Sequence, residues 1–167
     1  MNQNVYVVMG IAGSGKSTVG AALAHALGVG FIEGDDYHPA ENRRRMAAGI
    51  PLTDDDRAGW LRALAIRIRE ASDAGTGLVL SCSALKRSYR DVLRSAAPDL
   101  RFVFLKGSRA LIAERLAARR GHFMPVSLLD SQLATLEEPA SDEDAWVCDV
   151  TDPADEIVAG LVARVSS

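Results

Sequence analysis

The chain has 167 residues, 48% of them hydrophobic and 25% charged, which suits one globular domain and excludes disordered, collagen-like and low-complexity classes. Its apolar runs fall far short of the ~20 residues a bilayer span needs, and residues 1–4 lack the charged start of a signal peptide. A net charge of −3 argues against a nucleic-acid binder, and two cysteines, Cys82 and Cys148, are too few for a disulfide scaffold, so a reducing cytoplasm is the expected setting.

Residues 5–9, β-branched and aromatic, read as a buried first strand. A glycine-rich turn at residues 10–15 leads into a helix that runs to Leu27 and is stopped by Gly28 and Gly30. Phe31 and Ile32 form a short second strand ending in Glu33, Gly34, Asp35 and Asp36, and Pro39 opens a short helix to about Ala48. Thr53 and the acids Asp54, Asp55 and Asp56 mark a helix start, and Trp60, Leu61, Leu64 and Ile68 give that helix an apolar face. Residues 75–77 break it, and 78–82 form a third strand. A helix over about 85–96 ends before Pro98. Residues 101–106 are a fourth strand and 110–120 a helix, which residues 121–125 interrupt before it resumes over 126–136. A fifth strand at 146–148 and a helix at 153–165 complete the chain. This alternation predicts one α/β domain over 1–167, a five-stranded parallel sheet with helices on both faces.

Charge is uneven. Between residues 57 and 120 there are 14 Lys/Arg against five Asp/Glu, whereas 137–156 hold nine acids and no base. A basic middle in an acidic chain suggests a cleft for small anions; the alternative is a solvated, arginine-rich helix face.

The strongest signal is Gly10-Ile11-Ala12-Gly13-Ser14-Gly15-Lys16-Ser17, a full match to G-x-x-x-x-G-K-[ST] set between a strand and a helix. Glycines let backbone N–H groups turn inward around a phosphate, and the helix N-terminus adds a positive dipole end. Lys16 is placed to reach the β- and γ-phosphates of a nucleoside triphosphate, Ser17 to coordinate Mg²⁺, and Thr18 to touch the α-phosphate. A GTP switch would need N-K-x-D, which is absent, and a motor ATPase would need acids at the end of the third strand, where Ser81 and Cys82 stand. A small kinase remains.

Asp35, two residues past the second strand, lies where a parallel sheet binds ligands and is the expected acceptor of the attacking hydroxyl's proton. His38 reads as a polar wall residue. Lys86, Arg90 and Arg94 recur every four residues, a repulsive arrangement that a bound anion near Ser83, Lys86 and Arg90 would relieve; the alternative is a basic surface helix. Arg115 is placed to stack on the base. Arg119, with Arg120 as the alternative, is expected to act from a lid over about 119–127 on charge developing at the transferred phosphoryl group.

Taken together, these residues resemble the small gluconokinases, relatives of shikimate and adenylate kinases. The likeness rests on the loop above, on Gly34-Asp35-Asp36-Tyr37-His38-Pro39 with Asn42, on Thr53-Asp54-Asp55-Asp56-Arg57 with Trp60-Leu61, on Cys82-Ser83-Ala84-Leu85-Lys86 with Tyr89-Arg90, on Arg119-Arg120-Gly121-His122-Phe123-Met124, and on Gln132. It implies a P-loop kinase fold of the nucleoside-monophosphate-kinase type. It also implies ATP and Mg²⁺ as cofactors, D-gluconate phosphorylated on its 6-hydroxyl, a homodimer, and no membrane partner. The resemblance further implies an acceptor-binding helical region at about 36–75, with Asp54, Asp55, Asp56, Arg57, Arg120 and His122 near the sugar; read from the residues alone, the three acids are a helix cap. Shikimate kinase and a non-catalytic ATP sensor are the alternatives. The run Arg43-Arg44-Arg45 has no counterpart in this reading.

Overall fold

A computed structural model describes residues 3–118 and 126–167. Strand β1 (Gln3–Met9) lies at the centre of a five-stranded sheet. It pairs with β3 (Thr76–Ser81) on one side and β4 (Arg101–Lys106) on the other, and β2 (Gly30–Glu33) and β5 (Trp146–Asp149) form the edges. The order is β2-β3-β1-β4-β5 and every pairing is parallel. Because successive strand residues point to opposite faces, one run of Val, Leu and Phe supplies two cores.

Helices α3 (Asp54–Ala74) and α4 (Arg87–Arg94) cover one face, where Trp60, Leu64, Ile68 and Leu93 pack on Val5, Val7, Leu80, Phe102 and Phe104. On the other face, α1 (Lys16–Leu27) and α7 (Ala154–Ser166) bring Val19, Leu23 and Leu161 against Tyr6, Val8, Val79 and Val103. A third cluster beneath the glycine-rich turn joins Ile11 and Leu85 to Ile112 of α5 (Arg109–Ala118) and Leu129 of α6 (Val126–Thr135). Each fully buried aliphatic side chain is worth roughly 1.5–3 kcal/mol.

Thr53 caps α3 through a reciprocal pair of bonds: its hydroxyl accepts from the Asp56 N–H at 3.1 Å and the Asp56 carboxylate accepts from the Thr53 N–H at 2.9 Å. Residues 34–37 wind into a 3-10 turn that carries Asp35, and α2 (Ala40–Ala47) follows. The predicted helix over 85–96 is shorter, spanning Arg87–Arg94, because Ala84 takes a left-handed φ of 46° and the Leu85 carbonyl accepts from the Glu137 N–H at 2.7 Å. The run Arg43-Arg44-Arg45 is accounted for by acids around it: Arg44 and Arg45 pair with Glu41, Arg45 with Asp56, and Arg43 with Asp36. Of the predicted lid, residues 119–125 lie outside the described residues, and Val126 and Ser127 open α6.

Candidate active site

Past β1 the chain turns through Gly10–Gly15 and enters α1 without any side-chain cap. Gly15 holds the N-cap position at φ 98°, a left-handed conformation that strains other residues, and a Cβ there would meet nothing within 4 Å. No side chain caps the first turn of α1, and the positive end of the helix dipole lies at the turn, which suits a phosphate. Gly13, Gly15, Lys16 and Ser17 line a cavity of about 400 Å³ at the carboxyl end of the sheet. Gly10, Ile11 and Ser14 are buried beneath the turn and shape it from below. The Lys16 ammonium folds back to the Ile11 carbonyl at 3.1 Å.

Across the cavity stands Asp35, exposed to it, on the 3-10 turn that follows β2. Its backbone is pinned on several sides. The Gly34 carbonyl accepts from the indole of buried Trp60 at 2.8 Å, the Gly34 N–H donates to Ser81 Oγ at 3.2 Å, and the Asp35 carbonyl accepts from His38 N–H and from Arg43. Gly34 is obligatory here, since a Cβ would sit 2.0 Å from the Ser81 carbonyl oxygen of the neighbouring strand. Asp36 also borders the cavity but pairs with Arg43 at 3.7 Å, so Asp35 is the better placed of the two acids.

Glu33, at the end of β2, is a site residue that the sequence reading passed over as part of a strand end. Its carboxylate accepts from Ser17 Oγ and, at 2.5 Å, from Ser81 Oγ. It thus joins the P-loop serine to the end of β3. The signal in the sequence was the spacing Glu33-x-Asp35, an acid at the strand terminus two residues before the candidate base. Gln132 of α6 was likewise noted only within the resemblance; its Oε1 accepts from the Ala12 N–H at 2.7 Å and fixes the back of the turn.

His38, Arg57 and Ser83, expected on the acceptor side, also line this cavity. His38 stacks on Trp60 with ring centroids 4.0 Å apart. Burial first, then the nearby charges of Arg57 and Arg43, push its pKa down to about 4, so the ring is neutral at physiological pH. Arg57 is held through one nitrogen by the Leu52 carbonyl at 2.8 Å and the Tyr89 hydroxyl at 3.1 Å. Lys86 is not a wall of the cavity: it pairs with Asp54 at 3.0 Å, which also accepts from Tyr89, in a cluster behind Arg57.

Arg90 requires a correction. Rather than meeting a substrate anion, it is completely buried, with Nε and Nη2 on the Glu143 carboxylate at 2.7 and 3.1 Å and Nη1 on the Ala84 carbonyl at 2.9 Å. The anion that the basic helix requires is the protein's own acidic segment. Glu143 also takes Arg94 at 2.8 Å, Asp142 takes Arg87 in a two-pronged pair, and the Glu137 carboxylate caps the N-terminus of α4 through the Arg87 N–H at 2.9 Å. The spacing of Lys86, Arg90 and Arg94 registered the need for negative charge correctly and misplaced its source.

On the other side of the turn a second cavity of about 330 Å³ is lined by Gly13, Ser14, Gly15, Thr18, Arg115, Asp152 and Pro153. The Arg115 guanidinium there is steadied by the Val150 carbonyl at 2.5 Å. Two cavities thus share one phosphate-type loop, as a donor and an acceptor would require. Cys82, sealed in the core, has its thiol pushed up to about 12 by burial and is inert. Arg119, Arg120 and His122 lie outside the described residues.

An uncapped helix behind a G-x-x-x-x-G-K-S turn, an acid across the cleft and a parallel sheet of this order define a P-loop phosphotransferase. A family model described as an AAA domain matches residues 5–139. The chain is 43% identical to the thermoresistant gluconokinase of Escherichia coli K12, over 96% of this chain and 93% of that protein. It superposes on the crystal structure of a gluconokinase from Sinorhizobium meliloti 1021 with a TM-score of 0.90 and 52% identity, covering 99% of this chain and 93% of that one. A shikimate kinase from Bacteroides thetaiotaomicron, at TM-score 0.68 and 16% identity, shares the fold alone. The chain belongs to the gluconokinase family of P-loop kinases.

Proposed function

We propose that this protein phosphorylates the 6-hydroxyl of D-gluconate with ATP, giving 6-phospho-D-gluconate and ADP. The observation that carries the reading is the single cavity in which Lys16 and Ser17 face Asp35, with Arg57 and His38 on the acceptor wall. The Arg57 guanidinium anchors the sugar-acid carboxylate, and the distal hydroxyl then reaches Asp35. Asp35 accepts the proton of that hydroxyl as its oxygen forms the new bond to the γ-phosphorus and the bond to the leaving oxygen of ADP breaks. Lys16, the first-turn N–H groups of α1 and the predicted lid arginine, Arg119 or Arg120, hold the phosphates against the charge that develops. Arg115 covers the base beside Thr18. By family resemblance His122, part of a lid over about 119–127, completes the acceptor side together with a helical region over about 36–75.

Ser17 and Glu33, hard oxygen donors already in contact, fit Mg²⁺, which prefers one or two carboxylates or hydroxyls together with substrate phosphates. When bound, the ion neutralises phosphate charge. Because the donor is ATP, the reading places the protein in the cytoplasm; among the described residues no helix is long and apolar enough to cross a membrane. The homodimer implied by the resemblance is tested by light scattering.

The deciding experiment is an ADP-release assay offering gluconate, shikimate, glucose and nucleoside monophosphates in turn. Turnover with gluconate, abolished by excess EDTA, is expected. Turnover with shikimate and none with gluconate would refute the assignment.

A further inference from the structure

Asn42 of α2 is buried, and its amide is committed on both hydrogens. One goes to the Asp56 carbonyl at 2.8 Å, which fixes that end of the side chain as the NH₂ group; the other points to His38 Nδ1 at 3.2 Å. A nitrogen that faces an N–H donor must offer its lone pair, so in the neutral ring the proton resides on Nε2. Trp60, stacked within 16° of parallel, fixes the plane of the ring. Nε2 has no hydrogen bond among the described residues. It is not sealed off either: Ser14 Oγ is the one buried, unpartnered side-chain polar atom among them. His38 lines the acceptor cavity together with Asp35 and Arg57.

We propose that Asn42 is a positioning residue that locks His38 as an Nε2–H donor, and that this donor holds a hydroxyl oxygen of the acceptor's carbon chain between Arg57 and Asp35. This rests on the gluconate reading above, and it adds how a polyhydroxy chain is recognised between its charged end and its reacting end. A neutral N–H matches a neutral hydroxyl and leaves the carboxylate to Arg57. An imidazole in the opposite tautomer would present a bare nitrogen and select a different hydrogen-bonding pattern.

The lock is read directly by ¹H–¹⁵N correlation spectroscopy of the imidazole nitrogens in the wild-type protein without substrate, with the His38 signals assigned by their loss in His38→Gln. A bare Nδ1 and a protonated Nε2 are expected; a protonated Nδ1, or an imidazolium at neutral pH, overturns the proposal. Asn42→Asp, nearly isosteric, offers Nδ1 an acceptor and should move the proton there, raising KM for gluconate about tenfold through the loss of one hydrogen bond, with KM for ATP unchanged. His38→Gln, whose amide can place an N–H near the position of Nε2, should retain gluconate affinity that His38→Leu loses. Equal gluconate KM in His38→Leu and wild type overturns the donor role. Because the spectrum needs no substrate, a wild-type enzyme idle toward gluconate overturns the functional reading, and the spectrum alone then decides the tautomer lock.

Discussion

Replacing Glu143 by Gln tests where the negative charge around α4 comes from. Its carboxylate, buried at the side chain, accepts four hydrogen bonds: two from Arg90, one from Arg94 and one from the Ala140 N–H. Burial on its own would raise its pKa; the bonds from Arg90, the Ala140 N–H and Arg94 outweigh that and hold it at about 2 instead of the ordinary 4.5. A carboxyl depressed in the folded state contributes stability that is complete above pH 4.5 and is lost as pH falls towards about 2. A depression of that size corresponds to about 3 kcal/mol, near the lower end of the ~3–5 kcal/mol measured when one partner of a buried ion pair is removed. For a chain of this length that is a fall in Tm of roughly 6–12 °C. Thermal melts followed by circular dichroism at pH 7 should show it, and the gap from wild type should shrink to about half or less at pH 3, where the wild type has itself lost most of the contribution. Folded Glu143→Gln and Arg90→Met should keep the wild-type KM for gluconate. A Tm within about 2 °C of wild type at pH 7 would refute the structural assignment. Arg90→Met that melts normally but loses gluconate affinity would return Arg90 to the substrate.

Three further outcomes follow from the cavity. Asp35→Asn keeps size and polarity but removes the proton acceptor, so kcat should fall by about 10²–10⁴ while ATP affinity, measured by calorimetry, stays; near-wild-type turnover would remove Asp35 from the mechanism. Arg57→Ala should raise KM for gluconate far more than Lys86→Ala, since Arg57 walls the cavity and Lys86 is neutralised by Asp54; the reverse order in steady-state kinetics would restore Lys86 as the carboxylate anchor. Gly34→Ala forces a Cβ onto the Ser81 carbonyl, so the ends of β2 and β3 must part. It should cost about 1–3 kcal/mol in denaturant titration and displace Asp35 and Glu33 together, lowering kcat more than either KM.

Comparison of residues with structure shows what a linear reading captures. The strands and the phosphate loop were legible because their signals are local: β-branched runs for β1, β3 and β4, and glycines whose positions the turn itself demands. The position of Asp35 on the cavity was legible because a strand end fixes where the next residues lie. Glu33 was not, since its role depends on two hydroxyls, on Ser17 and Ser81, that meet it only when β2, β3 and the start of α1 converge. Arg90 was misassigned for the same reason. A helix can announce that its like charges need a counterion, but whether that counterion is a ligand or a carboxylate 53 residues away is decided by tertiary packing. The complementarity was present in the composition, as a basic middle and an acidic segment after residue 137, without any indication that the two neutralise each other. Among the described residues, the lysine and arginine side chains that line the cavity are Lys16 at the phosphate loop and Arg57 on the acceptor wall. The fold thus ties Arg87, Arg90 and Arg94 of the basic middle to carboxylates of the acidic segment, while Arg57, from the same basic stretch, lines the cavity.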